Sequence, residues 1–174
     1  MLIRDASARD AAACAAIYAD YVRDTVITFE TEPPSTEVMA ARMAAAAVKH
    51  AWLVAEEEGS VVGYAYGGPY KERAAYRWSC EVSVYLAMGR RRTGLGRALY
   101  ETLFARLAAR GYRIATAGMT LPNPASEGLH RAMAFAPIGT WKRIGWKKDA
   151  WHDVMWMQRD LATGEDPPAE ITEA

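Results

Sequence analysis

The sequence is poor in cysteine, carries no excess of charge of either sign and contains no long apolar run. Its two cysteines, Cys14 and Cys80, do not form a Cys-x-x-Cys pair, so neither a disulfide framework nor a zinc knuckle is expected, and a reducing cytoplasm fits best. Lys and Arg together number 21, as do Asp and Glu, which removes the electrostatic basis for a dedicated nucleic-acid binder or for docking on an anionic membrane. No apolar stretch approaches the roughly 20 residues that span a bilayer, and the first residues lack the apolar core of a signal peptide. We therefore expect a soluble, non-exported protein with a small partner.

The chain length of 174 residues is typical of one domain with its own core. No internal repeat and no linker divides the sequence. We therefore predict a single domain over residues 1–161, followed by a flexible tail over residues 162–174 that contains Glu165-Asp166-Pro167-Pro168.

Caps and apolar periodicity predict a strand, two helices, three strands, a helix, a strand, a helix and two strands, in that order. The predicted strands are residues 2–4, 51–56, 61–68, 76–87, 112–121, 135–144 and 150–161. The predicted helices are residues 7–21, 35–48, 94–110 and 122–134. This order predicts an α/β fold in which helices flank one mixed sheet. A dinucleotide-dependent oxidoreductase is disfavoured, because Gly94-Leu95-Gly96 lacks the third glycine of that fingerprint and the strand–helix repeat is not strict.

The strand predicted over residues 76–87 alternates between apolar and polar residues. Cys80 falls on the apolar face, so we expect a packed thiol rather than an acyl-cysteine nucleophile. Glu81 falls on the polar face, where its carboxylate is a candidate for proton transfer. On an ordinary exposed strand, Glu81 would instead be a cross-strand partner of Arg77 or Lys71.

The stretch from Arg90 to Ala98 combines arginines and glycines at the point where a strand ends and a long helix begins. Exposed N–H groups and the positive end of the helix dipole favour phosphate oxygens, and glycines permit their close approach. We interpret this stretch as a cradle for a diphosphate. The alternative is a tight turn with a solvated basic cluster.

At this loop the chain resembles the GNAT acetyltransferase superfamily, whose coenzyme A loop has the pattern Gln/Arg-x-x-Gly-x-Gly/Ala. Arg91, Gly94 and Gly96 match the pattern, and the order of elements matches too. Within the superfamily, the chain is similar to the phosphinothricin and methionine sulfoximine acetyltransferases over about residues 2–161. The blocks that carry this similarity are Phe29–Pro33, Trp52–Glu56, Gly68–Lys71, Glu81, Ser83–Tyr85, Arg92–Gly96, Leu121–Asn123, Leu129–His130 and Trp151–Val154. The chain departs from the family pattern where Arg91 replaces the glutamine of close relatives and where Ala134 replaces the glycine that usually precedes the aromatic residue.

The resemblance implies an N-acetyltransferase with a mostly antiparallel sheet, which uses acetyl-coenzyme A, needs no metal and acts on an amino-acid-like amine as a cytoplasmic homodimer. It also implies a link to herbicide resistance. Glu81 is then the general base, directly or through a water, and His130 protonates the departing thiolate. The implied coenzyme A contacts are Val84 and Leu86, through main-chain N–H groups at the thioester oxygen, and Arg91, Arg92, Thr93, Gly94, Leu95, Gly96, Arg97, Asn123 and Ser126. The implied acceptor contacts are Phe29, Lys71, Arg73 and Tyr76.

Other interpretations stay open at this stage. Asn123 is equally suited to a helix cap, and a lone histidine such as His130 is often a packed, hydrogen-bonded residue. The acceptor is alternatively a polyamine, an antibiotic amine or a protein amine, although the basic loop around Lys71 disfavours a polycation. A sensor that binds acyl-coenzyme A without turnover is a third hypothesis. His152 and Asp153 do not suggest a hydrolase dyad, because no Gly-x-Ser-x-Gly elbow is present, and we expect them near a dimer contact.

Overall fold

The computed structural model describes residues 1–90, 93–164 and 166–173. Within these ranges the strands and α-helices follow the predicted order, and the predicted fold class of a mixed sheet flanked by helices is confirmed. The elements are β1 (Leu2–Asp5), α1 (Ala11–Asp24), α2 (Thr36–Lys49), β2 (Trp52–Glu57), β3 (Ser60–Pro69), β4 (Ser79–Leu86), α3 (Leu95–Ala109), β5 (Ile114–Thr120), α4 (Pro124–Ala132), β6 (Ala136–Lys147) and β7 (Ala150–Asp160). None of the helices in this part of the chain has both the length and the apolarity needed to cross a membrane.

The strands form one sheet in the order β1-β2-β3-β4-β5-β7-β6. All neighbouring strands are antiparallel except β4 and β5, which run parallel. The parallel ladder is short, since it joins only Ser79–Glu81 of β4 to Ile114–Thr116 of β5. Beyond Glu81, β4 pairs only with β3, and beyond Thr116, β5 pairs only with β7. The two strands therefore separate in the middle of the sheet, and a gap opens directly after Glu81.

Each face of the sheet is covered by helices and has its own core. On one face, α3 buries a row of leucines spaced four residues apart, as an amphipathic helix does, and α4 packs beside it. On the other face, α1 and α2 pack over aromatic residues of β2 and β3, among them Trp52 and Tyr64. Cys80 belongs to the first core and is fully buried, so the predicted alternation along β4 is confirmed, and Glu81 lies on the α1–α2 face.

Local chemistry explains most element boundaries. The Ser35 hydroxyl accepts the Val38 N–H at 3.3 Å and caps α2, as predicted. Glu58 and Gly59, both at positive φ, form the two-residue turn between β2 and β3. Lys148 and Asp149, also at positive φ, form the same kind of turn between β6 and β7. That turn lets β6 continue to Lys147, three residues beyond its predicted end at residue 144.

Two further boundaries differ from the prediction. Tyr76 does not begin a strand but ends a short 3-10 turn over Ala74–Tyr76, and β4 starts only at Ser79. The helix predicted to reach Ala134 ends at Ala132, because Ala134 adopts a left-handed conformation with φ of 62°. Most L-residues avoid this region, and this explains why glycine is usual at the position.

The C-terminal tail lies against the domain. The Trp78 indole N–H donates to the Ala169 carbonyl at 2.8 Å, and Arg77 forms an ion pair with Glu170 at 2.9 Å. Ile171 packs onto the core of the α3 face beside Gly111. The flexibility of the tail stays a prediction, and its contacts connect it to the segment that precedes β4.

Candidate active site

The main chain of β4 presents alternate residues to β3 and to the gap. Ala87 N–H donates to the Val62 carbonyl at 2.9 Å, and hydrogen-bonded pairs alternate along an antiparallel ladder. The peptide groups of Val84 and Leu86 therefore point away from β3, into the space that β5 leaves. The main-chain groups of Leu86 are hydrogen-bonded to the Tyr21 hydroxyl. This hydroxyl donates to the Leu86 carbonyl at 2.7 Å and accepts the Leu86 N–H at 3.3 Å. Of the two predicted main-chain donors, Leu86 N–H is therefore bonded to Tyr21, whereas Val84 N–H faces the gap and has no described bond to Tyr21.

The predicted diphosphate cradle ends in a left-handed glycine. Gly94 has φ of 80°, and a Cβ placed on it would meet none of the described residues within 4 Å. The first intrahelical bond of α3 runs from Ala98 N–H to the Gly94 carbonyl at 3.0 Å, and Leu95 N–H donates to the Thr93 hydroxyl at 3.4 Å. The N–H groups of Gly96 and Arg97 are left without an acceptor inside the helix. The geometry suits an anion, while the predicted contacts Arg91 and Arg92 lie outside the described residues.

Gly96 and Arg97 also have contacts of their own. A Cβ on Gly96 would lie 3.3 Å from the Leu129 side chain, so glycine at this position lets α4 pack closely against the start of α3. The Arg97 guanidinium bonds Glu101 at 3.0 Å, one turn along α3, and both side chains are exposed. An exposed pair of this kind contributes little stability, so Arg97 is free to exchange partners.

Asn123, Ser126 and His130 form one local network around α4. Asn123 precedes the helix and caps it, because its side-chain oxygen accepts Ser126 N–H at 3.2 Å. The Ser126 carbonyl accepts a hydrogen bond from Nδ1 of His130 at 2.8 Å, and the Tyr100 hydroxyl lies 3.1 Å from Nε2. A carbonyl can only accept, so Nδ1 carries the proton and Tyr100 donates to Nε2. His130 is buried, and this burial lowers its pKa, so the ring is neutral near pH 7.

Glu81 is the carboxylate that faces the gap. Glu81 is the last residue of β4 that pairs with β5, and on its other side it pairs with Gly68 of β3. Within the described part of the chain, its carboxylate accepts no hydrogen bond and forms no ion pair. Burial raises the pKa of Glu81, and the nearby charge of Lys71 partly opposes this effect. The ion pair with Arg77 that an ordinary strand would make is not observed, because Arg77 bonds Glu170.

The predicted acceptor contacts Lys71, Arg73 and Tyr76 lie exposed between β3 and β4. The Tyr76 ring packs edge-on against Tyr70 with centroids 5.5 Å apart, and the Lys71 ammonium lies 5.3 Å from the centroid of the Tyr70 ring. Tyr70 also contacts Trp156 of β7, 6.3 Å away, which connects this loop to the far side of the gap.

Sequence reasoning missed Tyr70 and Trp156 as site residues. The Trp156 ring lies flat over Gly118, where a Cβ would approach it to 3.1 Å. The signal that pointed to this contact was the glycine in the middle of β5, because a strand glycine often marks a close approach of another group.

Phe29, the fourth predicted acceptor contact, lies on the connection between α1 and α2 and packs against the β6–β7 hairpin. Its ring packs directly on Gly145 of β6, where a Cβ would overlap it, and lies 6.3 Å from the ring of His152. The ammonium of Lys147 donates to the carbonyls of Val22 and Thr28, both at 2.8 Å. The β6–β7 hairpin therefore holds the connection that carries Phe29.

Neither the Cys80 thiol nor the pair of His152 and Asp153 is arranged for catalysis in the described structure. Burial raises the pKa of the Cys80 thiol to about 12, so the nucleophilic thiolate is not available at neutral pH. His152 Nε2 donates to the Lys147 carbonyl at 2.9 Å, whereas Asp153 bonds Lys142 at 2.8 Å, so these two side chains do not form a dyad.

Comparison with known proteins agrees with this geometry. Residues 3–156 match the family model described as an acetyltransferase (GNAT) domain. A phosphinothricin N-acetyltransferase of Streptomyces viridochromogenes is 38% identical over 165 residues, which cover 95% of this chain and 90% of the relative. An L-methionine sulfoximine/L-methionine sulfone acetyltransferase of Pseudomonas paraeruginosa is 33% identical, with 95% and 98% coverage. The crystal structure of a phosphinothricin acetyltransferase from Sinorhizobium meliloti in complex with acetyl-coenzyme A is 37% identical, has a TM-score of 0.91, and is matched over 97% of this chain and 93% of that one.

Proposed function

Because the chain belongs to the GNAT family of acetyltransferases, we propose that it transfers the acetyl group of acetyl-coenzyme A to the amine of an amino-acid-like small molecule such as phosphinothricin or methionine sulfoximine. The observation that carries the proposal is Glu81, a half-buried carboxylate without a described hydrogen-bond partner at the point where β4 and β5 separate. A carboxylate held in this state is suited to accept a proton from a substrate.

The loop before α3 suits the coenzyme. Gly94 leaves open space, and the N–H groups of Gly96 and Arg97 point out of the helix start toward a diphosphate. Bound acetyl-coenzyme A supplies an acyl group activated as a thioester. Arg91 and Arg92 stay predicted contacts with its phosphates, and the cap formed by Asn123 and Ser126 is proposed to border the same cleft.

In the proposed reaction the amine attacks directly and no acetyl-enzyme forms. Glu81 accepts the proton of the amine, directly or through one water, and its raised pKa brings it closer to the working pH of a general base. Val84 N–H donates to the carbonyl oxygen on which negative charge develops. Cys80 takes no part, because its thiol is buried on the opposite face.

His130 is the proposed proton donor to the departing thiolate. The Ser126 carbonyl holds one proton on Nδ1, and Nε2 of the neutral ring carries none, so His130 must first take up a second proton on Nε2 from solvent and then give that proton to the thiolate. The lowered pKa of His130 makes its imidazolium form a stronger acid than a free histidine. Tyr100, which bonds Nε2, is the group that must give way for this transfer.

Thiol release from acetyl-coenzyme A is the direct test of the function. We expect turnover with phosphinothricin, methionine sulfoximine or methionine sulfone. Gly94→Glu should abolish coenzyme A binding in a folded protein, because it places bulk and negative charge in the cradle, and calorimetry measures this loss. Faster turnover of spermidine than of every amino-acid analogue would support a different acceptor, and stoichiometric binding without turnover would support a sensor.

Arg73→Ala tests the acceptor loop within the same assay. Because Lys71, Arg73 and Tyr76 are proposed to hold an acidic group of the acceptor, the substitution should raise the KM of the acceptor more than the KM of acetyl-coenzyme A. Equal effects on both values would contradict this placement.

A homodimer is proposed from the surface of the β6–β7 hairpin. β6 is an edge strand, and several large apolar residues of this hairpin are more than half exposed: Ile138, Trp141, Ile144, Trp146 and Trp151. Apolar groups concentrated on a strand edge are typical of an interface. Light scattering should give twice the chain mass of 19.2 kDa, Trp141→Glu should reduce it, and Val48→Glu on α2 should not. A monomer at micromolar concentration would contradict the proposal.

The cellular setting follows from the same proposal. Both cysteines are unpaired and buried, which suits a reducing cytoplasm. Expression of the protein in cells sensitive to phosphinothricin should protect them, and Glu81→Gln should remove the protection.

A further inference from the structure

A cavity of about 440 Å³ lies between α2 and the sheet, on the face that carries Glu81. We call it the α2 pocket, and its walls include Met39, Ala45, Ala46, Trp52, Tyr64 and Tyr66. None of the predicted cofactor or acceptor contacts that the structure describes lines it. An apolar cavity of about 150 Å³ already accommodates a benzene-sized molecule, so the α2 pocket is large enough for an aromatic side chain.

The floor of the α2 pocket is a stack of aromatic rings. The Trp52 ring lies 4.3 Å from that of Tyr66 and 5.3 Å from that of Tyr64, and the planes differ by only 10° and 12°. Trp52 and Tyr64 are almost fully buried, so this floor is fixed by the core beneath it. It offers a flat apolar surface of the kind that recognises a planar or branched apolar group.

The α2 pocket is continuous with the position of the proposed base. Gly68 lines the pocket and pairs across the ladder with Glu81. The alternation fixed by the Ala87–Val62 bond makes this a hydrogen-bonded pair, in which the two Cα atoms are about 5.5 Å apart. Among the described residues, a Cβ on Gly68 would meet nothing within 4 Å, so the sheet surface beside Glu81 is open at this position.

The charged side chains around the α2 pocket are paired with carboxylates. Arg42 and Lys49 line the pocket. Arg42 is held by Glu30 through bonds of 2.8 and 3.0 Å, and Lys49 forms an ion pair with Glu173 at 3.6 Å. His50 is stacked on Tyr112 with centroids 4.9 Å apart, and burial lowers its pKa to about 4, so this ring is neutral at pH 7. An uncharged apolar group fits this lining.

We propose that the α2 pocket receives the apolar side chain of the acceptor while its amine lies at Glu81. The inference rests on the proposed function and names its substrate class: α-amino acids and their analogues with an aromatic or branched aliphatic side chain, in addition to acceptors whose polar side chain lies toward Lys71 and Arg73. The gap side and the pocket side of Glu81 then hold different classes of side chain.

Neighbouring alanines of α2 give a matched test. Ala45 lines the α2 pocket and is exposed, so Ala45→Phe fills the pocket without disturbing the core. Ala44 is exposed on the same helix and does not line the pocket. The quantity to measure is kcat/KM for L-phenylalanine and L-leucine divided by kcat/KM for phosphinothricin. We expect this ratio to fall on the order of tenfold or more in Ala45→Phe and to stay at the wild-type value in Ala44→Phe.

A second variant fills the passage from the sheet side. Gly68→Val places its side chain in the open space next to Glu81 and should lower the same ratio. An unchanged ratio in both Ala45→Phe and Gly68→Val, or an equal fall in Ala44→Phe, would overturn the inference.

Binding of a product separates this inference from the proposed function. N-acetyl-L-phenylalanine needs no turnover, and calorimetry should show that it binds the wild type at least about tenfold more tightly than Ala45→Phe. If no amine is acetylated, the proposed function fails whatever this binding shows. If phosphinothricin is acetylated but N-acetyl-L-phenylalanine binds both proteins equally, the function stands and the α2 pocket is not its subsite.

Discussion

The two faces of the sheet are built from different side chains. On the α3 face, leucines of the helix pack on small and aliphatic residues of the strands, and four of them are at most 2% exposed. On the α1–α2 face, tyrosines and Trp52 form an aromatic cluster, the α2 pocket lies under the helix, and Glu81 and Lys147 bring charge into the interior. The first face is close-packed and the second is not. The comparison indicates that the α3 face supplies stability to the domain. The α1–α2 face is less closely packed, carries the proposed chemistry and depends on that stability.

The largest expected effect is a loss of stability from a substitution on the α3 face. Leu103 is fully buried there, so Leu103→Ala should lower the free energy of unfolding by about 2–5 kcal/mol, because it removes apolar contacts and leaves a cavity. Denaturant unfolding measures this change. Val38→Ala on the half-exposed surface of α2 is the control and should stay within about 0.5 kcal/mol of the wild type. A loss for Leu103→Ala no larger than the control would show that the faces do not differ.

Glu81→Gln tests the α1–α2 face. We expect kcat to fall on the order of 10²-fold near neutral pH, since the amide keeps the shape but cannot accept a proton. The defect should shrink at high pH, where the amine is already deprotonated. Cys80→Ala should keep most of the activity. A defect that is equal at all pH values, or an inactive but folded Cys80→Ala protein, contradicts the mechanism.

The same substitution should affect stability in the opposite direction. Burial raises the pKa of Glu81 in the folded state, so the folded protein favours the protonated form. The associated stability is present at low pH and is lost as the pH rises through the folded-state pKa. Glu81→Gln, which stays neutral, should therefore unfold at a higher temperature than the wild type above that pH and show no such gain well below it.

Lys147→Met sharpens the comparison, because it removes a buried charge that connects two segments of the α1–α2 face. The Val22 and Thr28 carbonyls lose their donor, which should cost about 1–3 kcal/mol of stability. Phe29 should also be held less firmly, so the KM of the acceptor should rise more than the KM of acetyl-coenzyme A. Lys148→Met removes the same charge from the exposed neighbour and is the control. Equal changes in the two KM values would show that Lys147 has only a structural role.

The smallest expected effect is at the end of α4. Ala134 adopts φ of 62°, so Ala134→Gly should stabilise the protein by about 0.5–1 kcal/mol, because glycine adopts this conformation without strain. Ala132→Gly, inside the helix two residues earlier, should destabilise it by a similar amount. Thermal unfolding of both variants measures the difference, and a gain for Ala132→Gly would contradict the explanation.

The sequence predicts the features that depend on neighbours along the chain. The period of two in β4 places Cys80 and Glu81 on opposite faces, and the Ser35 cap marks the start of α2. Long-range register is not predictable in this way. The contact of Tyr100 with His130 spans 30 residues, and that of Lys147 with Thr28 spans 119. The α2 pocket likewise depends on the pairing of Trp52 with Tyr66, which no local pattern reveals.

The three-residue ladder between β4 and β5 has a mechanical consequence. It divides the sheet into two parts, β1–β4 from the first half of the chain and β5–β7–β6 from the second, which few main-chain hydrogen bonds join. A molecule bound between the two parts connects them, so the binding of acetyl-coenzyme A should slow hydrogen–deuterium exchange in both parts. The donor substrate would then be part of what holds the two halves of this enzyme together.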